Sequence, residues 1–237
     1  MNTCTCIIPF YNEEKLVLPV IFELLKVKEF DEIILVNDGS TDNWWKVVKD
    51  YIKGLKHVKL IEYHPNHWKS YAVKQWLDKV DTEYVFFFDA DLEWIQHEEI
   101  SRVISALYNH PKIDIGILRR IHSKRFLKIF MIDLLLSWER MLKTKDAKKI
   151  FSNQVSGYQM EMAINSYMVK EGKTGTWFPS SAKNVFKKEK YGFLTWLKKD
   201  FLMYRSIFRY NWFFGYVKVS LDLWFRRIKS YKQIEKF

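Results

Sequence analysis

Cysteine, glycine and proline are all scarce in this chain of 237 residues, which contains two, eight and five of them respectively. Two cysteines exclude a disulfide framework, and this pattern suits a reducing cytoplasm. Cys4 and Cys6 are two positions apart on a predicted strand, so their side chains point to the same side. We interpret them as core residues rather than as a metal site. The low glycine and proline content also excludes long flexible linkers.

Long uncharged stretches are absent as well. No such run reaches the ~18–20 residues that a membrane-spanning helix needs. The best candidates are 129–138, which Asp133 interrupts, and 212–217. The apolar run at 3–9 is followed at once by Asn12-Glu13-Glu14, which does not resemble a signal peptide. We therefore predict a cytoplasmic protein that does not span a bilayer.

The first 118 residues show a regular alternation of strand-like and helix-like segments. Apolar residues make up 48% of the chain, enough for one domain with a sizeable core plus an appendage. Apolar runs such as 32–36 (EIILV) and 83–88 (EYVFFF) alternate with segments of helical periodicity. This alternation predicts an α/β fold, with a mostly parallel sheet and helices on both faces.

Polar clusters follow three of the predicted strands, where open sheets of this kind bind their ligands. Asp89 and Asp91 come directly after 83–88, and two carboxylates so placed suit Mg²⁺ or Mn²⁺. A cation there would stabilise a departing diphosphate; the alternative is an acidic turn. Asp38 follows the second strand. It either binds a nucleobase or belongs to a turn in which Asp42 caps the next helix.

Together these clusters resemble glycosyltransferase family 2. The resemblance rests on 8–14 (IPFYNEE), 36–42 (VNDGSTD) and 88–92 (FDADL), in this order and spacing. It is strong over roughly residues 1–120 and looser to about 190. It implies a GT-A fold, which is Rossmann-like, and inverting transfer from a UDP- or GDP-linked sugar with Mg²⁺ or Mn²⁺. The donor-binding residues that it implies are Pro9, Tyr11, Asn12, Glu13, Asp38, Asp89, Ala90 and Asp91, with Asp89 and Asp91 at the metal and Asp91 catalytic.

Two further segments resemble the same family. Residues 66–72 (NHWKSYA) are similar to its Asn-x-Gly-Lys-x-x-Ala segment, which implies a donor contact for Lys69, although Trp68 stands where glycine is usual. Residues 157–161 (GYQME) resemble the segment that lines the acceptor side. Glu161 lies between two methionines, and apolar surroundings raise a carboxyl pKa towards that of a general base. The alternative is a glutamate on a helix surface.

Basic residues outside these motifs are candidates for binding the acceptor or a phosphate. Arg119 and Arg120 follow the fifth predicted strand, and Lys187 and Lys190 precede Tyr191-Gly192. Either cluster suits a phosphate group. Solvated surface charge is the alternative for any single one of these side chains.

The last part of the chain differs from the rest in composition. Residues 183–237 hold 14 Lys/Arg against 4 Asp/Glu, and 16 of the 41 aromatic residues. We predict a catalytic domain over 1–190 and, over 191–237, amphipathic helices that bind an anionic membrane surface on its cytoplasmic face. The alternative is a helical pair that packs on the domain or forms a homodimer.

The favoured acceptor is a membrane lipid, in particular a polyprenyl phosphate, as the resemblance to the polyprenyl-phosphate branch with dolichol-phosphate mannose synthases implies. The runner-up is a saccharide hydroxyl, with Glu161 as base. An inactive scaffold of the same fold is a further alternative. Nucleic acid is not an expected partner, because the acidic clusters after the strands would repel phosphate in the absence of a cation.

Overall fold

A computed structural model describes residues 2–13, 16–42, 44–67, 69–123, 128, 131–152, 159–184, 215 and 218–233 of the chain. The strands of the described residues are β1 (Cys4–Phe10), β2 (Glu32–Asn37), β3 (Val58–Glu62), β4 (Tyr84–Phe87), β5 (Leu92–Glu93), β6 (Ile115–Arg120), β7 (Arg140–Lys143), β8 (Gly175–Ser180), β9 (Lys183–Asn184) and β10 (Ile228–Ser230). The α-helices are α1 (Val17–Leu24), α2 (Trp44–Tyr51), α3 (Lys69–Leu77), α4 (His97–Asn109), α5 (Ile132–Leu135), α6 (Thr144–Phe151) and α7 (Gln159–Lys170).

The main sheet has the strand order β10-β8-β6-β7-β4-β1-β2-β3. Only β7 runs antiparallel to its neighbours, so the predicted mostly parallel sheet is confirmed. A separate ribbon pairs β5 with β9. Because β7 is reversed, its first residue, Arg140, lies at the edge where the parallel strands end. We call this edge the carboxyl edge.

Alternation along the central strands divides the core between the two faces of the sheet. Cys4, Cys6 and Ile8 of β1 pack on one face with α1 and α4, and Ile7 packs on the other with α3, α6 and α7. Both cysteines are buried and free, as predicted. Residues 84–88 alternate in the same way, which is why the run YVFFF has no charged residue.

Two regions differ from the sequence prediction. Residues 121–145 have a basic, amphipathic sequence pattern that does not indicate a strand, but they contain the short helix α5 and strand β7. The sequence pattern predicts helix from Tyr191 to the end of the chain, but 228–230 form β10, which extends the sheet beside β8. A π-helical turn, Leu223–Arg227, precedes that strand. In the described part of the chain, every helix is too short or too polar to cross a bilayer.

Candidate active site

The loops after β1 and β2 are joined by one side chain, that of Asn12. Its Oδ1 accepts hydrogen bonds from the backbone N–H of Thr41 (2.8 Å) and of Asp42 (3.3 Å). Its own backbone N–H donates to Ser40 Oγ over 3.0 Å. Asn12 has φ +53°, a left-handed conformation that asparagine tolerates. The two polar segments after the first two strands therefore form one surface.

Asp38 and Gly39 join that surface to the loop before α3. Asp38 is buried, and its Oδ1 accepts a hydrogen bond from the His67 backbone N–H over 2.9 Å. Gly39 has φ +77°, and a Cβ atom at this position would stand 2.7 Å from the backbone nitrogen of Asn66. Glycine is thus required at position 39 for two reasons: the backbone is left-handed, and the loop at Asn66 comes too close to leave room for a side chain.

Lys69 and Asp89 form an ion pair between the start of α3 and the end of β4. Lys69 Nζ lies 2.5 Å from Asp89 Oδ1 and 4.1 Å from the ring centroid of Trp138. Burial favours the uncharged forms of both groups, but the charge of each partner outweighs it. The pKa of Lys69 is raised and that of Asp89 is lowered, so both remain ionised.

Arg120, at the end of β6, adds a positive charge near Asp89 and Asp91. Its Nη2 donates to Glu139 Oε2 over 2.8 Å, and the charges of Glu139, Asp89 and Asp91 outweigh burial and raise its pKa. Glu139 also accepts from Ser137 Oγ over 2.9 Å and is almost fully buried. Burial and the nearby charge of Asp89 raise the pKa of Glu139 despite Arg120. Arg120 therefore links the two aspartates to a buried carboxyl group.

Glu161 lies on α7 and faces this cluster from inside the protein. It is 8% exposed, and its buried Oε2 has no hydrogen-bond partner among the described residues. Burial raises its pKa to about 7, although Lys69 and Arg140 oppose the shift. The alternative of a glutamate on the helix surface is thus wrong. A carboxyl group with this pKa can take up or release a proton near neutral pH.

Arg140 is the largest charged group in the interior, with no exposed surface. Its guanidinium donates to the carbonyl oxygens of Leu134, Leu135 and Ser137 and to Asn165 Oδ1. Burial lowers its pKa to about 10, while Glu161 and Glu139 partly offset that shift. Since Asn165 lies one turn after Glu161, these bonds hold α7 against the segment before β7.

The structure brings most of the predicted site residues to the carboxyl edge. Asp38, Lys69, Asp89, Asp91 and Glu161 surround it, while Pro9 and Ala90 are buried and Tyr11 is 43% exposed. Arg120 belongs to this cluster. Arg119 instead donates from Nε to Asp133 over 2.8 Å and from Nη2 to Asp133 and to the Lys128 carbonyl. Lys187 and Lys190 lie outside the described residues.

Sequence reasoning missed the contribution of 137–140. Ser137 donates to Glu139, which accepts from Arg120. Trp138 lies beside Lys69, and Arg140 anchors α7. Only the charged pair Glu139-Arg140 inside an apolar stretch could have drawn attention to this segment. That signal does not distinguish buried charge from surface charge, because the pattern does not reveal strand β7 itself.

The carboxylates at this edge suit a metal that shares its ligands with a substrate. Within the described ranges, no three His, Cys, Asp or Glu side chains are grouped to hold a metal by themselves. Mg²⁺ usually takes one or two carboxylates together with substrate phosphates. Asp89 already has Lys69 as its cationic partner. The two carboxylates, Asp89 and Asp91, with phosphate oxygens as further ligands, therefore fit a divalent ion.

The fold and the arrangement of this edge define a GT-A-type α/β domain, as predicted. The chain matches the family model described as glycosyl transferase family 2 over residues 5–213 and belongs to that family. Glucosyl-3-phosphoglycerate synthase from Mycobacterium tuberculosis, crystallised with Mn²⁺, uridine diphosphate and phosphoglyceric acid, has a similar structure. The TM-score is 0.67 at 16% identity, covering 87% of this chain and 76% of that one.

Two curated relatives match only part of the chain. A teichoic acid poly(glycerol phosphate) polymerase of Staphylococcus epidermidis is 34% identical over 95 residues, 39% of this chain and 13% of the polymerase. A 4,4'-diaponeurosporenoate glycosyltransferase of Staphylococcus aureus is 29% identical over 106 residues, 44% of this chain and 28% of the relative. The matched segments thus span well under a third of either relative.

Proposed function

We propose that this protein transfers a sugar from a nucleoside diphosphate sugar to an acceptor oxygen, with the help of a divalent metal ion. The observation that carries the proposal is the meeting of three groups at the carboxyl edge. These are the buried Asp38, the charged pair Lys69–Asp89 with Asp91 two residues on, and Glu161 with its raised pKa. Membership of glycosyl transferase family 2 supports the same reaction.

The residues at the edge have distinct proposed roles. Asp38 accepts hydrogen bonds from the nucleobase, and Pro9, Tyr11, Asn12 and Glu13 line the nucleotide pocket. Lys69 faces the diphosphate and keeps Asp89 ionised. A Mg²⁺ or Mn²⁺ ion bound by Asp91 would neutralise charge on the departing diphosphate. Mn²⁺ and uridine diphosphate in the structurally similar synthase support this choice of ligands.

We propose an inverting reaction with a membrane lipid, preferably a polyprenyl phosphate, as acceptor. An acceptor oxygen forms a bond to the anomeric carbon, the bond from that carbon to the diphosphate oxygen breaks, and the nucleoside diphosphate leaves. Arg120 is the basic residue best placed for an anionic acceptor, since it interacts with Asp89 and Asp91 at the carboxyl edge, whereas Arg119 is directed to Asp133. Such an acceptor places the reaction at an anionic membrane surface, on its cytoplasmic face.

One observation favours a second acceptor class, a saccharide hydroxyl. Oε2 of Glu161, which has no hydrogen-bond partner in the part of the chain that the structure describes, and a pKa of about 7 suit a general base, which a phosphate oxyanion does not need. In that reaction the hydroxyl proton moves to Glu161 as the new bond forms. The response of the rate to Glu161→Gln separates the two classes.

The proposal is tested with labelled sugar nucleotides, Mn²⁺ and a total lipid extract. We expect label to enter the organic phase with one sugar nucleotide, and EDTA to abolish the transfer. Asp91→Asn should lower the rate by roughly 10²-fold, the scale for removing one preorganised electrostatic group. Asp50→Asn, an exposed aspartate on α2, is the control and should leave the rate unchanged. Full activity in EDTA would remove the metal from the mechanism.

A further inference from the structure

Trp94, three residues after Asp91, combines exposure with an uncommon backbone conformation. Its side chain is 56% exposed and its φ is +59°, in the left-handed region that bulky residues rarely adopt. Leu92 and Ile95 on either side are buried in the core. A non-glycine residue in this region is strained, and such residues concentrate at functional sites.

Hydrogen bonds from neighbouring elements hold Trp94 in place. Ser181 Oγ donates to the Trp94 carbonyl oxygen over 2.9 Å. Glu99 of α4 accepts from the Ser181 backbone N–H and from Ser180 Oγ, both at 3.0 Å. The pairing of β5 with β9 fixes Glu93, just before Trp94, and Lys183, two residues after Ser181. The backbone that carries the indole is thus fixed at the surface, so binding a ligand there does not require this segment to be ordered first.

The indole belongs to an apolar patch with one lysine, which we call the Trp94 patch: Trp94, Ile121, His122 and Lys183. The ring centroid of His122 lies 5.5 Å from that of Trp94, and Lys183 Nζ lies 4.9 Å from the indole centroid. Ile121 is 47% exposed. Single exposed apolar side chains are ordinary, but an exposed indole beside a cation, with the exposed Ile121 next to His122 in the chain, suits an amphiphilic ligand.

The patch adjoins the candidate active site. Ile121 and His122 directly follow Arg120, whose pKa responds to the charges of Asp89 and Asp91. The Ile121 backbone N–H donates to the Ser180 carbonyl oxygen over 2.8 Å, which holds this stretch at the end of β8. A ligand with its anionic group near Arg120 or Lys183 can therefore lay an apolar chain across Trp94 and Ile121.

We propose that the Trp94 patch is the acceptor subsite for an amphiphilic phosphate, a ligand with a phosphate head and an isoprenoid chain. The inference rests on the proposed function and adds the residues that select the acceptor. Trp94 and Ile121 contact the first units of the chain, and the Lys183 ammonium attracts the phosphate head. The strained backbone of Trp94 is kept because it holds the indole outward next to the reacting groups.

Binding of farnesyl phosphate to the full chain tests the subsite without any turnover. We expect calorimetry to show much tighter binding of farnesyl phosphate than of inorganic phosphate. Trp94→Ala and Lys183→Gln should each weaken it roughly tenfold or more, since each removes apolar contact or the attracting charge. Trp94→Asn keeps a residue that tolerates the left-handed backbone. It should bind as weakly as Trp94→Ala while unfolding at no lower temperature than the wild type.

The chain offers a matched control in Phe22 and Lys26 of the α1 region. Phe22 is 52% exposed, and Lys26 Nζ lies 4.2 Å from its ring centroid. Phe22→Ala and Lys26→Gln should leave farnesyl phosphate binding unchanged. Equal binding by folded Trp94→Ala and wild-type protein would overturn the inference. The inference would also be overturned if Trp94→Ala weakened binding to phosphatidylglycerol vesicles without prenyl phosphate by the same factor, because the patch would then be a membrane contact.

The assay also separates this inference from the proposed function. Binding is measured without a sugar nucleotide, so an inactive wild-type protein would count against the glycosyltransferase proposal alone. Conversely, an active enzyme whose lipid glycosylation is unaffected by folded Trp94→Ala would retain the proposed function and lose the subsite.

Discussion

At the scale of single residues, the candidate site is an electrostatic cluster built inside the protein. Lys69, Arg120 and Arg140 face four carboxyl groups, of Asp89, Asp91, Glu139 and Glu161. Asp89 lies 2.5 Å from Lys69 and keeps a lowered pKa. Glu161 interacts with the same lysine but is more strongly affected by burial. The two acids therefore differ in protonation near neutral pH, as groups with different roles must.

The raised pKa of Glu161 predicts an effect of pH on stability. A carboxyl group whose pKa is higher in the folded state stabilises the protein fully below its unfolded pKa, near 4.5, and that contribution is lost as pH rises through about 7. The ionised form thus costs roughly 3 kcal/mol at pH 8. Glu161→Gln should raise the free energy of unfolding at pH 8 by up to about that amount, with much less effect at pH 4. Urea denaturation at both pH values measures it, and Asp50→Asn should show no such difference.

The same variant reports on catalysis. If the acceptor is a hydroxyl, the wild-type rate should increase with pH up to about 7, and Glu161→Gln should lose both that rise and most of the rate. Donor affinity should be unchanged in either case. With a phosphate acceptor the rate should hardly change, and a collapse of donor affinity would instead place Glu161 in the donor site.

At the scale of elements, three loops are held together: those after β1 and β2 and the one before α3. Hydrogen bonds and one close backbone contact connect them. Asn12 connects the first two loops, and Asp38 accepts from the third through His67. The approach of Asn66 to Gly39 leaves no room for a Cβ atom. The proposed nucleotide pocket is therefore a property of three loops acting together.

Gly39→Ala should separate those loops. The added Cβ atom would stand 2.7 Å from the Asn66 backbone nitrogen, so the third loop must shift and the bond from His67 to Asp38 is lost. The shift also displaces Asp38 from the nucleobase, and loss of the charge-assisted hydrogen bond proposed between them, at ~1.5–3 kcal/mol, should weaken nucleotide binding about 10- to 100-fold in calorimetry.

Gly54 provides a matched control. Its φ is +89°, and among the described residues no neighbouring atom lies within 4 Å of the place that a Cβ atom would take. Gly54→Ala should cost a similar backbone strain, of order 1 kcal/mol, while leaving nucleotide binding intact. Equal nucleotide affinities for the two alanine variants would show that strain rather than contact explains any effect at Gly39.

At the scale of the whole molecule, the basic carboxyl-terminal part is joined to the α/β domain. Ile228 and Leu223 are buried in the core, and Tyr231 stacks on Phe178 of β8 with 5.8 Å between ring centroids. Removal of 193–237 would therefore also remove an edge strand of the sheet. Substitution of exposed charges is a better test of the proposed membrane contact than truncation.

The membrane proposal predicts that neutralising four exposed side chains at this end reduces binding to anionic vesicles. These are Lys218, Arg226, Lys229 and Lys232. Each Lys or Arg near an anionic surface contributes about 1 kcal/mol, so the fourfold Gln variant should bind phosphatidylglycerol vesicles roughly 10³-fold less tightly in sedimentation. High salt should release the wild type in part.

The control variant changes net charge equally at the opposite end of the sheet. Lys28, Lys46, Lys53 and Lys56 are exposed and lie in or near the helices and loops before β3, the other edge strand. Their substitution by Gln should have a much smaller effect on vesicle binding. If both fourfold variants bind equally, total charge and not the carboxyl-terminal part governs adhesion.

Local patterns in the sequence predict the five parallel strands of the first 120 residues, since apolar runs bounded by turn residues are local signals. They also predict that Asp38, Asp89 and Asp91 lie at one edge, because parallel strands end together. Strand β7 escapes such patterns, because its residues, Arg140 to Lys143, combine charged ends with only two apolar positions. Strand β10 escapes them because its pairing with β8 depends on residues far away in the chain.

The family, the α/β class and the polar segments of the site can all be read from the amino-acid sequence, since each depends on residues close together in the chain. The protonation states and ion pairs of the site depend instead on the tertiary structure. Glu161 becomes a group with a pKa of about 7 through burial, and Lys69 becomes the partner of Asp89 through the packing of α3 beside β4. The same is true of the Trp94 patch, whose members meet only where the ends of β6, β5 and β9 come together. Desolvation and ion pairing depend on distance in space, which no local pattern encodes.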